Sequence, residues 1–520
     1  MKDKLKQITC KLILLGAYGL LCFVSISSAK AIQTFQNERK KAIYINVRYK
    51  EAISTDTLII SINGLFLTEP WVAEHGCKAT ADPDGFFRFE IPTETSCGYF
   101  TLSKPARGDR KGHLVYMLKN QLYESGDSLD LEISFTENAI GQQSNSYNYH
   151  GKGAQKYNLV NMLISGNFKP DPQIPITITG NYPQDWDGNI LSFPNFDAVP
   201  TLVQQKVDFL DRHKYLLSPL SYQVIRADLL YSSRGSVFEK INAFVKNGKM
   251  QRQDELQRRK IRSRFASSFD YLNTFEISPE ALAISVNYTS FLAGRFGKLR
   301  AQSSVDTGFY SLEYVYKLAK NYSSNPALNE KLVMLSFTTP EKTPQNIDSL
   351  YADAEKYLKI PDHLALLKSF RNRTSANSFS TYALTDTGGK HVKTTDFKDK
   401  IVLIDLWFTG CSGCAAYYQQ TLSKVKVFFK DNPSVVFLSV CSDLSQETWK
   451  KSILTNRYTS SDAVNLYTNG LGLKHPFLTS YNIVSAPTVI LLDQTGKIKY
   501  FNTSNLYKEE LLKKTITELL

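Results

Sequence analysis

The chain holds 520 residues, with a net charge of +13 and seven cysteines. At ordinary domain sizes that length corresponds to about three domains. One Cys-x-x-Cys pair, scattered histidines and no His-Glu-x-x-His pattern exclude a zinc centre, so no metal and no other cofactor is assigned.

The first residues read as an export signal. Lys2, Lys4, Lys6 and Lys11 form a positive start, and Leu12 to Ile26 is almost wholly apolar. Ala29-Lys30-Ala31 has the small-x-small form of a cleavage site. Residues 1–31 are therefore read as a signal peptide, and the chain as exported to the periplasm or cell envelope. The rival reading is an uncleaved membrane anchor, since the apolar run is near the shortest that spans a bilayer. Lipidation at Cys22 is a third, disfavoured by Leu21 where lipoprotein signals carry a small residue.

Export lets disulfides persist. Cys10 and Cys22 lie in the signal, which leaves Cys77, Cys97, Cys411, Cys414 and Cys441. Export also excludes nucleic acid as the partner of the positive charge. Lys2, Lys4, Lys6, Lys11 and Lys30 against Asp3 contribute +4, so the mature chain keeps +9. Its densest cluster runs from Lys249 to Arg264. A solvated helix face accounts for it; docking to an acidic partner or anionic lipid is the alternative.

Residues 32–150 predict an antiparallel β-sandwich. Ile43 to Val47 and Leu58 to Ile62 read as strands. Asp82-Pro83-Asp84-Gly85 is a turn before the strand Phe86 to Ile91. His113 to Leu122 and Leu129 to Phe135 flank a second turn, Glu124 to Asp127. Cys77 and Cys97 form either a structural disulfide or two separate buried thiols.

Residues 151–370 predict a mostly helical domain. Ala154 to Leu163 reads as a helix. Val203, Val207 and Leu210 recur at helical spacing until Ser218-Pro219. Tyr222, Ile225 and Leu229 make a second stripe, and Leu312, Val315 and Ala319 a third; such stripes are core. Pro170 to Pro194 reads as loop. A helix from Ser349 to Leu358 precedes a polar linker, Arg371 to Ser380.

Residues 371–520 alternate strands and helices. Phe379 to Leu384 and His391-Val392 make a hairpin around Asp386 to Gly389. Val402 to Leu406, nearly all apolar, is a buried parallel-type strand. A helix follows from Cys411 to about Phe429, then a strand from Ser434 to Val440 and a helix from Gln446 to Asn456. Thr488 to Leu492 and Lys497 to Phe501 flank the turn Asp493 to Gly496, and Lys508 to Leu520 closes as a helix. A βαβ unit followed by a hairpin and a terminal helix gives a mixed sheet covered on both faces. The whole is multidomain: sandwich, helical middle and α/β end.

The chemistry lies in Trp407-Phe408-Thr409-Gly410-Cys411-Ser412-Gly413-Cys414. A strand before and a helix after put Cys411 at a helix N-terminus, where unpaired N–H groups and the macrodipole favour a thiolate. Cys411 is then the nucleophile, and Cys414, one turn further in, the resolving thiol. A structural disulfide is the bland reading. Cys441 reads as a small buried hydrophobe rather than a third redox thiol.

This third resembles the thioredoxin superfamily, and within it the TlpA/ResA-like thiol–disulfide oxidoreductases. The resemblance rests on Gly389-Lys390 to Asp396-Phe397-Lys398, on Asp405-Leu406-Trp407 before the cysteines, on the strand ending near Asp443, and on Ser485-Ala486-Pro487-Thr488. It implies a thioredoxin-like fold. It implies that Asp405 is a buried proton acceptor for the resolving cysteine, with a solvated strand-end acid as the alternative. It implies that Pro487 is a cis-proline whose neighbourhood, with Ala486, forms a pairing edge for a substrate strand. Trp407 is placed beside that substrate site, though packing against the active-site loop is the commoner role.

Three departures matter. The dipeptide between the cysteines is Ser-Gly, Gly410 stands where a bulky residue is usual, and Asp405 is like thioredoxin rather than those members with asparagine. Two functions follow. One is an exported reductase of envelope-protein disulfides, fed by a membrane electron donor. The other is an envelope interaction protein whose redox module is a sensor or incidental. A peroxidase is excluded, because Ile404 and Phe408 occupy the proline and threonine positions that a peroxidatic cysteine needs.

Overall fold

The computed structural model describes residues 42–53, 56–67, 76–105, 114–137, 143–166, 168, 201–246, 276–293, 312–338, 347–374 and 382–520. The leader with Cys10 and Cys22, the loop Pro170 to Pro194 and the basic cluster Lys249 to Arg264 lie outside them. Among the described residues, no helix is long and apolar enough to cross a membrane.

Eight strands open the described chain: β1 Ala42–Tyr49, β2 Thr57–Asn63, β3 Gly76–Thr80, β4 Phe86–Pro92, β5 Cys97–Pro105, β6 Leu114–Glu124, β7 Ser128–Glu137 and β8 Gln143–Lys152. They form two four-stranded sheets, ordered β4-β1-β7-β8 and β3-β2-β5-β6. Alternation drives the packing. Ile43, Ile45 and Val47 are buried while Tyr44 between them is exposed, as period-two side chains require. They share one apolar cluster with Phe87, Leu131, Leu58, Ile60, Phe100 and Leu102, so both sheets bury a face in the same core. One pairing departs from the antiparallel expectation. β1 runs parallel to β7, with Ile45 opposite Leu129.

Cys77 and Cys97 are not bridged; both are free thiols. Ile60 of β2 pairs with Cys77 on one side and Leu102 of β5 on the other. Strands two places apart lie roughly 9.5 Å from each other, beyond the reach of a disulfide. Cys97 is buried instead, and desolvation, opposed by Lys156, pushes its thiol up to about 12.

The helical middle packs on the second sheet. Helix α1 (Ala154–Ser165) sends Tyr157 into the sheet core and Leu159 and Leu163 into a second cluster. That cluster joins Leu65 of the turn after β2, and Tyr99 and Leu122 of the second sheet, to Val224, Leu332, Leu350 and Leu367 of the helices. α2 (Thr201–Arg212) ends before the expected stop at Ser218-Pro219, a 3-10 turn at Lys214–Leu216 follows it, and α3 (Pro219–Lys246) begins at the proline; Ser221 N donates to Ser218 Oγ at 3.1 Å. Among the described residues, four helices that open on a proline were not visible as stripes: α4 Pro279–Ile284, α6 Pro326–Ser336, α8 Pro361–Asn372 and, beyond the linker, α11 Pro476–Ser480. Between them lie α5 Leu312–Lys320 and α7 Ile347–Tyr357. The segment read as a linker from Arg371 is still helical at its start. Asn372 Nδ2 donates to Ser480 O at 3.0 Å, and Arg373 donates to the carbonyls of Tyr481 at 2.7 Å and Asn482 at 2.6 Å, joining α8 to the C-terminal domain.

That domain is a seven-stranded sheet, β10-β9-β13-β12-β11-β14-β15. Its strands are β9 Leu384–Asp386, β10 His391–Val392, β11 Ile401–Trp407, β12 Val435–Cys441, β13 Val464–Tyr467, β14 Thr488–Leu492 and β15 Ile498–Phe501. Every residue of β11 is buried, because helices cover both faces of its centre. β11 pairs parallel with β12 and antiparallel with β14. The helix after it, α9, runs from Ser412 to Phe428 with a π-helical turn at Tyr418–Leu422. Helices α10 (Gln446–Leu454) and α12 (Glu509–Thr517) complete the cover. The expected core of strands is present, with β13 added between β12 and the β9–β10 hairpin.

Candidate redox site

The site forms where β11 ends and α9 begins. Gly410 has φ of 93°, a left-handed value that glycine adopts without steric cost, and it turns the chain from strand to helix. Cys411 then caps the helix: its Sγ accepts from Cys414 N–H at 3.0 Å. A disulfide joins Cys411 to Cys414, with Cα atoms 5.3 Å apart. Both sulfurs are more enclosed than sequence reasoning foresees, Cys411 being 6% and Cys414 2% exposed. Sγ of Cys411 is 3.8 Å from Ala486 O, and the Ala486–Pro487 bond is cis. A Cβ added to Gly413 would meet Pro487 Cδ at 3.4 Å, an ordinary van der Waals contact, so Gly413 lies directly against the cis-proline ring.

Asp405, 3% exposed, holds the fifth position of β11, the strand that leads to the disulfide. The solvated alternative is thereby removed. Burial raises its carboxyl to about 8, and Lys426 opposes that rise. Lys426 is itself pulled down by burial and held up by Asp462, 3.6 Å away, and by Asp405. Asp405 Oδ1 and the Tyr417 hydroxyl are both buried without a hydrogen-bond partner among the described residues. Burial, and then the Asp405 charge, hold the Tyr417 and Tyr507 hydroxyls above their ordinary range. Tyr507 donates to Pro487 O at 3.0 Å and packs on Tyr417 with ring centres 5.1 Å apart.

Trp407 is turned inward. It is fully buried, stacks on Tyr458 at 5.1 Å and 6°, and donates Nε1–H to Ser439 Oγ at 2.8 Å. An indole with both its face and its N–H engaged beneath the loop has nothing left to present outward. Cys441 is likewise buried, and desolvation holds its thiol well above the usual range. Sequence reasoning missed Tyr458, whose hydroxyl accepts from Gly410 N at 2.9 Å, and Tyr417, Tyr507 and Lys426 around Asp405. None carries a local pattern that marks it; each arrives through the fold.

Residues 370–517 match the Redoxin family model. Thiol-disulfide oxidoreductase ResA of Bacillus subtilis (strain 168) is 25% identical over 117 residues, which is 22% of this chain and 60% of that protein. The match thus spans less than two thirds of that curated relative. The thioredoxin domain of a thiol-disulfide oxidoreductase from Bacteroides vulgatus is 30% identical and covers 28% of this chain and 96% of its own, with a TM-score of 0.25. A thiol:disulfide interchange protein from Bacteroides sp. is also 30% identical, covering 28% and 89%, with a TM-score of 0.24. The C-terminal domain is a redoxin of thioredoxin-like fold. Within that class it is homologous to the thiol–disulfide oxidoreductase ResA.

Proposed function

We propose that the chain is an exported thiol–disulfide oxidoreductase that reduces disulfides of envelope proteins through the Cys411/Cys414 dithiol. The observation that carries this reading is the disulfide at the start of α9, with Cys414 N–H aimed at Cys411 Sγ from 3.0 Å. In the reduced protein that N–H and the helix terminus stabilise a Cys411 thiolate. The thiolate attacks one sulfur of a partner disulfide, and the partner's other sulfur leaves as a thiolate. Asp405, as its carboxylate, takes the Cys414 proton. Cys414 then attacks Cys411 Sγ, the partner's bonded sulfur departs, and two electrons have passed from the dithiol to the partner. Ala486 and Pro487 offer the backbone edge on which the partner strand lies.

A membrane electron donor would restore the dithiol, and the leader pattern at 1–31 supports an envelope location. The chain is read as three units after that leader, 32–150, 151–370 and 371–520, the first of them a β-sandwich. The test is reduction of insulin disulfides by the full chain with dithiothreitol as donor. Turnover is expected for the wild type and is lost in Cys411→Ala/Cys414→Ala. Equal rates for the two would overturn the reading.

A further inference from the structure

We propose that Asp443 is a positioning residue for Cys411: it clamps the turn before the disulfide and so aims the sulfur at the Ala486–Pro487 edge. The proposal rests on Cys411 being the nucleophile. Asp443 follows the end of β12 by two residues, where Ser442 N donates to Trp407 O at 2.9 Å. Both of its carboxylate oxygens end on one residue of the turn. Oδ1 accepts from Thr409 N at 2.9 Å, and Oδ2 from Thr409 Oγ1 at 2.5 Å. Thr409 Oγ1 lies 2.7 Å from Ser452 Oγ on α10. The threonine proton is given to Asp443, so Ser452 is the donor there.

Each backbone N–H from 409 to 411 therefore has a partner. Thr409 N–H goes to Asp443, Gly410 N–H to Tyr458 at 2.9 Å, and Cys411 N–H back to Phe408 O at 3.2 Å. Two of these three anchors come from outside the turn. Gly410, in the left-handed region, lends the turn little stiffness of its own. A bidentate, charge-assisted clamp is the strongest of the three. It holds a point two residues from the reacting sulfur, where small displacements are costly in rate.

Three variants in the full chain test this, read by alkylation of reduced Cys411 with iodoacetamide at neutral pH and by insulin reduction. Asp443→Ala removes both bonds and is expected to slow both reactions about tenfold, since misplacement well under 1 Å carries that cost. Asp443→Asn keeps both bonds: its oxygen meets Thr409 N–H, and its NH2 meets the threonine hydroxyl, which then donates to Ser452. It is expected to stay within about threefold of wild type by the same argument. Thr409→Val, which leaves the carboxylate in place should Asp443→Ala not fold, is expected to fall between them. Alkylation of Asp443→Ala at the wild-type rate overturns the proposal, as does Asp443→Asn as slow as Asp443→Ala, which would make the charge and not the clamp responsible. If the wild type reduces no insulin while the alkylation differences stand, the clamp is upheld and the proposed function falls.

Discussion

Two carboxylates divide the molecule's chemistry. Asp228, on α3 in the helical middle, is half-buried and fully engaged. It accepts from Tyr99 OH of β5 at 2.6 Å, from Ser285 Oγ at 2.6 Å and from Asn287 N at 3.2 Å. Nearby Lys331, which is buried, donates to Phe66 O at 3.1 Å, Ala283 O at 2.6 Å and Thr289 Oγ1 at 2.7 Å. Burial pulls that ammonium down to about 7 against the pull of Asp228. Asp405 is more deeply enclosed, and its Oδ1 has no hydrogen-bond partner among the described residues. Burial raises both acids; hydrogen bonds hold Asp228 back, while Asp405 reaches about 8. An acid whose lone pairs are filled is cement between the sheets and the helices. One left partly unfilled in a buried site keeps its proton to higher pH.

The sharpest break in that comparison is the chemistry itself. Cys411→Ala is expected to lower insulin reduction about a thousandfold or more. Cys414→Ser should still attack but stall, so a mixed disulfide with insulin accumulates on non-reducing gels. Asp228→Ala should cost roughly 3 kcal/mol or more, because three donors lose their acceptor at once. Urea unfolding followed by tyrosine fluorescence reads that loss, with redox activity of the folded fraction unchanged.

Asp405→Asn should do the opposite. Between 3.8 and about 8 the folded state holds a proton that the unfolded state has lost. Stability therefore falls as pH rises through that window, and removing the acid restores it. The variant is expected to gain several kcal/mol at most at the upper end of the window, at about 1.4 kcal/mol per pKa unit, and nothing below the lower end. Its mixed disulfide should resolve roughly a hundredfold more slowly in stopped-flow, without the rise in rate through about pH 8 that is expected of the wild type. The smallest effect is Tyr99→Phe. It leaves one Asp228 oxygen unpaired and should cost about 1–2 kcal/mol in the same unfolding experiment.

Periodicity made the site's frame legible. The nearly all-apolar run of β11 and the Cys411-Ser412-Gly413-Cys414 that follows it dictate a buried strand and a helix start. Helices α4, α6, α8 and α11 were lost to that approach, yet each begins on a proline at its first position. Proline at the first helical position was the available signal, since its missing N–H is one the helix does not need there. β13 is only four residues, Val464–Tyr467, too short for alternation to show. Cys77 and Cys97 had the right residue type and the wrong neighbours, because the strand between them appears only once the sheet order is known.

What the sequence by itself determined is local: which segment turns from strand to helix, and which sulfur emerges at that turn. Hydrogen bonding within a few residues and the alternation of apolar side chains settle those matters. Tertiary structure alone decided how deep Asp405 sits, that Trp407 faces inward, and that Asp443, more than thirty positions away along the chain, grips Thr409. Such relations depend on which strands become neighbours, and strand order is set by the burial of the whole sheet rather than by any one stretch of residues.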